Sequence, residues 1–257
     1  MTRKPHPSPQ KKVPGYKRDA LFLGLCAVFL TALVMGNIIG TTKFVQLFSF
    51  DIPRWALPLV PDLVRDGRYY EMVIPAGLLA FPFTFFVTDL ISELFGRKKA
   101  QLLVFVGFAM NIFMLGIMTI NYHLPDAYGV SGGRQLFDGV YGFMVGNTIG
   151  SMIAYLVAQT VDVQLFHFWK RLTKGRHLWL RNNASTMVSQ LVDSTAILSI
   201  LYVTGNLGDS VTGLGALVIL ILNSYLFKFF SALIDTPFCY AAIHYFRDYN
   251  EDPEDFR

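Results

Sequence analysis

The chain has 257 residues, of which 53% are hydrophobic and only 16% charged, against roughly 25% charged in an average soluble protein. Apolar runs recur along its whole length and leave no soluble domain of useful size. The composition predicts one integral membrane domain, and the net charge of +4 is spread too widely to mark a nucleic-acid surface.

Residues 1–18 combine Arg3, Lys4, Lys11, Lys12, Lys17 and Arg18 with four prolines, a cationic tail too polar to bury a core. The apolar run that follows has no small-residue cleavage site, so it is expected to remain as a helix. Six spans of about 17 to 25 residues can be drawn: Ala20–Met35, Met72–Phe95, Leu102–Ile120, Val140–Val161, Ala184–Val203 and Leu214 to roughly Phe238. The expected fold is an all-α integral membrane protein with six transmembrane helices in a domain over residues 19–246. A cytoplasmic C-terminal tail, 247–257, completes it. The loop Thr41–Glu71, with Pro53, Pro58, Pro61 and Trp55, suits a structured cap and predicts no helix. The loop Asn121–Gly139 is Gly-rich and expected to be irregular.

Charge orients these spans. The tail, the Arg97-Lys98-Lys99 turn, the Lys170–Arg181 loop and the C-terminus hold 16 of the 22 Lys and Arg, and the opposite loops hold five. By the positive-inside rule both termini are cytoplasmic.

Small residues predict close helix packing. Gly142, Gly146, Gly150, Ala154 and Ala158 recur every fourth residue, and Ala32, Gly36 and Gly40 form a shorter series. Such faces drive association in lipid, so the first and fourth helices are expected partners. The similar stretches Gly36-Asn37-Ile38-Ile39-Gly40 and Gly146-Asn147-Thr148-Ile149-Gly150 both fall toward the outer side. An inverted repeat would place them at opposite depths, so they read as coincidence.

Polar residues within the spans carry the functional signal, because a charge at the bilayer centre costs about 2.5 to 3.5 kcal/mol on insertion scales. Asn147, Ser151, Tyr155, Gln159 and Asp162 share one face of the fourth helix. Asn182, Thr186, Ser189, Gln190 and Asp193 share one face of the fifth, and Ser224, Lys228, Ser231 and Asp235 one face of the sixth. Stripes on otherwise apolar cylinders are most simply turned together, which predicts a polar central cavity. Asp89 and Glu93, four residues apart on the second helix, are expected to join it. Glu93 has a second candidate partner in Arg97. Lys228 has two candidate partners, Asp193 and Asp162. Pro75 and Pro82 lie in the second apolar run and predict a kink that leaves free carbonyls beside a cavity.

Motifs for other chemistries are missing. There is no phosphate-binding Gly-rich loop with Lys-Ser/Thr, no His-Glu-x-x-His and no Gly-x-Ser-x-Gly. Cys26 and Cys239 lie in apolar runs as packing residues. No cofactor or metal is expected. An enzyme is disfavoured; a path or binding site for a polar small molecule is favoured.

Phe81-Pro82-x-Thr84-Phe85-x-x-Thr88-Asp89-Leu90-x-x-Glu93-x-x-Gly96, Gln159-x-x-Asp162 and Lys174-Gly175-Arg176-x-x-Trp179-x-Arg181-Asn182-Asn183 carry a resemblance. With Ser185-Thr186-x-x-x-Gln190-x-x-Asp193, Lys228 and Thr236-Pro237, the sequence resembles the queuosine-precursor transporter family. That resemblance implies a multi-pass inner-membrane importer salvaging 7-cyano- or 7-aminomethyl-7-deazaguanine for tRNA modification. Its alternative is a substrate-binding membrane subunit of an energy-coupling-factor type importer. The implied partners are a 7-deazaguanine-type small molecule and membrane lipids, with a second copy or an energising module to be considered and no nucleic acid. The candidate substrate-binding residues are Asn37, Asp89, Glu93, Asp162, Gln190, Asp193 and Lys228, with Arg97 and Arg181 as ion-pair residues. A carboxylate of Asp89, Glu93 or Asp193 could accept two adjacent N–H groups of such a base. Import would be facilitated, or coupled to protons through Asp162, Asp193 or Glu93.

Overall fold

A computed structural model of the protein describes residues 14–51, 64–65, 69–125, 133–173, 178–208, 211 and 213–246. Six helices result: α1 (Gly15–Ile39), α2 (Phe81–Phe95), α3 (Arg97–His123), α4 (Arg134–Leu172), α5 (Leu178–Val203) and α6 (Leu214–Tyr245). Each carries a stretch long and apolar enough to cross a membrane, α2 together with the 3-10 turn Ala76–Ala80 before it. All of them but α2 outrun the expected spans, α4 at both ends, because an apolar window marks the lipid-crossing part of a helix and not where its hydrogen bonding stops. Large apolar side chains such as Phe105, Phe113, Ile120 and Phe238 stand exposed on the outside of the bundle, the surface that lipid would cover.

The loop expected as a cap contains a small antiparallel sheet, a departure from the all-α expectation. Strand β1 (Phe44–Asp51) pairs with β3 (Tyr69–Pro75), and the two-residue β2 (Val64–Arg65) pairs with the other edge of β3. The register shifts between Gln46 and Phe48, a bulge. Aromatic and β-branched residues favour this pleated surface, and β3 alternates in turn, with Met72 and Ile74 buried toward the helices.

The second span is therefore not a kinked helix from Met72. Residues 72–75 are strand, Pro75 ends it, and the 3-10 turn leads into α2. Pro82 occupies the first turn of α2, where a missing N–H interrupts no helical bond. Both prolines punctuate elements instead of bending one. Gly96, at φ 87°, then joins α2 directly to α3, a left-handed conformation that glycine reaches without steric cost.

Two clusters hold the bundle. Phe29 of α1 packs with Val87, Leu90, Ile91 and Leu94 of α2 and Leu103 of α3. Leu198 and Leu201 of α5 pack with Leu217 and Leu220 of α6. The two small-residue series find different partners. Gly150 of α4 faces Ile200 and Leu201 of α5, and these two helices form the most extensive pair. Gly36 of α1 faces Gly77 and Ala80 of the 3-10 turn, so closely that a Cβ on Gly77 would sit 2.3 Å from the Gly36 carbonyl oxygen. The expected α1–α4 contact exists, but its bonds are polar, as described next.

Candidate functional site

A cavity of about 490 Å³ lies among all six helices and reaches the 3-10 turn, within the range of small-molecule sites. Its wall is chiefly apolar, with polar groups gathered at two places. All three expected stripes contribute: Ser151, Tyr155 and Gln159 from α4, Thr186, Ser189 and Gln190 from α5, and Ser224 and Lys228 from α6.

The first place joins three asparagines from three helices. The Asn37 Nδ2 of α1 donates to Asn111 Oδ1 of α3 at 3.0 Å. Asn147 Nδ2 of α4 reaches the Asn37 carbonyl and its Oδ1, each at 3.3 Å, and Ser151 Oγ donates to the same Oδ1 at 3.1 Å. All three asparagines are buried. Gly40 makes room for this cluster, since a Cβ there would lie 2.7 Å from the Asn147 side chain. The two Gly-Asn stretches that read as coincidence thus meet in space, as contact partners and without implying a repeat. Asn111 escaped the sequence reading because it is a single amide on an apolar helix and makes no stripe.

The second place is the ion pair Lys228–Asp193, Nζ to Oδ2 2.6 Å. Of the two partners the sequence left open for Lys228, the structure supplies Asp193. The lysine side chain is 4% exposed and the aspartate 26%, so the cation is sealed while the carboxylate keeps an open edge. Lys228 Nζ also stands 4.9 Å from the centroid of Phe81, at cation–π distance. Phe81 leans on Phe85, with centroids 4.2 Å apart, and both rings line the cavity. These flat surfaces on α2 are the feature of the site that polar periodicity could not find.

Of the expected binding residues, Asn37, Gln190, Asp193 and Lys228 line this cavity. Asp89 and Glu93 do not. They share a face, as their spacing requires, but it is exposed in the isolated chain, and α6 brings Asp235 and Cys239 near enough to feel their charge. It is Thr84 and Thr88, on the adjoining side of α2, that meet the cavity. The side chains of Arg97, Asp162 and Arg181 lie outside the described residues, and with them the expected Glu93–Arg97 pair.

At the end of the cavity beside the 3-10 turn the sheet is fastened over the bundle. The Tyr70 hydroxyl bonds Asn223 Oδ1 of α6, whose Nδ2 donates to the Val73 carbonyl at 3.2 Å, and Thr41 Oγ1 donates to the Asn206 carbonyl at 2.9 Å. Thr41, Pro75 and Gly77 line the cavity at this end. Among the described residues no group of three or more His, Cys, Asp or Glu could hold a metal ion.

Residues 75–242 match the profile of a family described as "Putative vitamin uptake transporter". The chain belongs to this family. The matched stretch carries every cavity residue from α2 to α6 and leaves Asn37 outside. Among curated proteins, the chain is 27% identical over 186 residues to a "Probable queuosine precursor transporter" of Bacillus subtilis (strain 168), covering 70% of this chain and 76% of that one. It is 29% identical over 158 residues to a "Queuosine precursor transporter" of Escherichia coli (strain K12), covering 57% and 67%. A third, from Haemophilus influenzae, is 26% identical over 187 residues, covering 72% and 71%. No solved structure matches.

Proposed function

We propose that this protein carries queuosine precursors, bases of the 7-deazaguanine type such as the 7-cyano and 7-aminomethyl forms, across the inner membrane, with both termini in the cytoplasm. The observation that carries the reading is the cavity's second polar place. There the Asp193 carboxylate edge and the Gln190 amide face the same space as the Phe81 and Phe85 rings. A fused heterocycle needs both kinds of surface: aromatic faces to stack on, and polar groups to pair with its edge N–H and C=O groups. A site so built rejects analogues that leave its buried polar groups unpaired. The relatives' names support the same substrate class. The alternative of an energy-coupling-factor subunit finds no support in them.

Asp193 and Gln190 are assigned to the base edge in this reading. Lys228 fixes the carboxylate, and Asn37 holds the outer end through the asparagine cluster. The test is uptake of labelled 7-cyano-7-deazaguanine by cells unable to make the base, with and without this chain. Accumulation that depends on the chain is expected. Equal accumulation in both strains would refute the proposal.

A further inference from the structure

A serine or threonine inside a helix has a ready partner in the carbonyl three or four residues back. The cavity helices use it repeatedly. Thr84 donates to the Phe81 carbonyl, Thr88 to Thr84, Ser151 to Thr148 and Ser189 to Thr186, at 2.7 to 3.0 Å. Ser194 of α5 and Ser224 of α6 do not. Both side chains are buried, at 0% and 3% exposure, and neither hydroxyl has a hydrogen-bond partner. Thr148 and Trp169 share that lack, but only the two serines line the cavity.

Their position gives the lack a meaning. Ser194 follows Asp193 directly and lies one helical turn beyond Gln190; Ser224 lies one turn before Lys228. The two hydroxyls therefore flank the ion pair, one on each of the helices that it bridges. Gln190, 9% exposed, also makes no side-chain hydrogen bond among the described residues, so three neutral polar groups surround a pair that already satisfies its own charges. Leaving a buried hydroxyl unbonded costs free energy that native structures seldom accept without a reason. Rotation about the serine Cα–Cβ bond repositions the hydroxyl oxygen, so either residue can meet a ligand in the lumen without backbone movement.

We propose that Ser194 and Ser224, with Gln190, are specificity-determining contacts, receiving uncharged hydrogen-bonding groups of the base beside the Asp193–Lys228 pair. This deepens, and rests on, the reading of the chain as a carrier of such bases. Hydroxyls and an amide can each donate and accept, so they match the alternating N–H and C=O groups of a heterocycle edge. They supply no counter-charge, so an ionised group placed against them would be stranded.

The full chain, purified in detergent, tests this with tritiated 7-deazaguanine. Ser194→Ala and Ser224→Ala should each weaken binding about fivefold, the worth of one net hydrogen bond, and the double substitution more. The ligand-free variants should melt at the wild-type temperature or above it, because each substitution removes an unpaired buried hydroxyl. That second readout separates ligand contact from a structural role. Variants that bind as tightly as wild type would overturn the inference, and so would variants whose melting temperature falls along with affinity. Wild-type protein that neither binds nor carries the base would remove the carrier reading and this one with it. Wild-type uptake with fully active serine variants would remove only this one.

Discussion

Asp193 on α5 and the Asp89/Glu93 pair on α2 are carboxylates on apolar helices, and spacing alone treats them alike. The structure separates them. Asp193 meets a buried cation from another helix and lines the cavity; Asp89 and Glu93 lie outside the cavity, with the further carboxylate of Asp235 as their charged neighbour on α6. An i, i+4 relation fixes that two side chains share a face. It says nothing about which way that face turns. A lone lysine on another helix does, because a cation that cannot reach water must face its counter-ion.

The Asp193–Lys228 pair should give the largest effect on stability. Asp193→Ala strands a lysine that is 4% exposed, and breaking a buried pair from one side costs about 3–5 kcal/mol. Lys228→Met should cost less, because the carboxylate left behind is 26% exposed and can take water from the cavity. The double change Asp193→Ala with Lys228→Met should recover much of the loss, since neither charge then remains. Thermal unfolding of the four proteins in detergent gives the coupling energy. Additive single effects would mean that the 2.6 Å contact contributes nothing.

The two small-residue series sharpen the same lesson at the next magnitude. Gly77→Ala drives a methyl to 2.3 Å from a backbone oxygen of α1, whereas Gly146→Ala meets, at the same 2.3 Å, only the side-chain amide of Asn206. Backbone cannot step aside and a side chain can. Gly77→Ala should therefore cost about 1–3 kcal/mol, as overpacking does, and Gly146→Ala clearly less. A reversal of that order in melting temperature would show that the 3-10 turn yields more easily than its contacts imply.

The latch between the sheet and α6 comes third. Tyr70→Phe deletes one hydrogen bond to the buried Asn223, a loss of about 1 kcal/mol. Burial raises the Tyr70 hydroxyl above its ordinary pKa of 10.0. As pH rises the unfolded chain therefore ionises first, so the latch contributes fully below about pH 10 and is lost above it. Wild type should lose stability faster than Tyr70→Phe on the alkaline side. Parallel curves would mean that the hydroxyl is not held in its protonated form.

Much of this architecture is legible in the sequence, residue by residue. Hydropathy places six spans because lipid demands about 20 apolar residues per crossing, and the periodicity of α4, α5 and α6 picks out Gln159, Gln190, Asp193, Ser224 and Lys228, which line one cavity, but also Ser231 and Asp235, which do not. The span around Met72–Ile74 misleads because an apolar, β-branched stretch fits a buried strand as well as a helix. Here pairing with β1, some 25 residues earlier, decides between them. Asn111, Phe81 and Phe85 are hidden for a different reason. One amide has no period, and aromatic rings on a lipid-spanning helix look the same whether they face lipid or a ligand.

The smallest expected effects return to α2. Asp89→Asn and Glu93→Gln each remove a charge from a helix apolar enough to cross the membrane, where a charge is a cost and not a support, so neither should lower stability. Any shift should be toward greater stability, since each removes one of the like charges shared with Asp235. Uptake should follow suit: neither substitution removes a cavity contact, so both should leave the apparent affinity for 7-cyano-7-deazaguanine near wild type, while Asp193→Asn weakens it severely. The two measurements together are decisive because stability and uptake can part company. If Glu93→Gln abolished uptake while melting at the wild-type temperature, the α2–α6 face would belong to the transport path. The contrast between the two carboxylate sites would then be one of successive stations for the base, not of inside against outside.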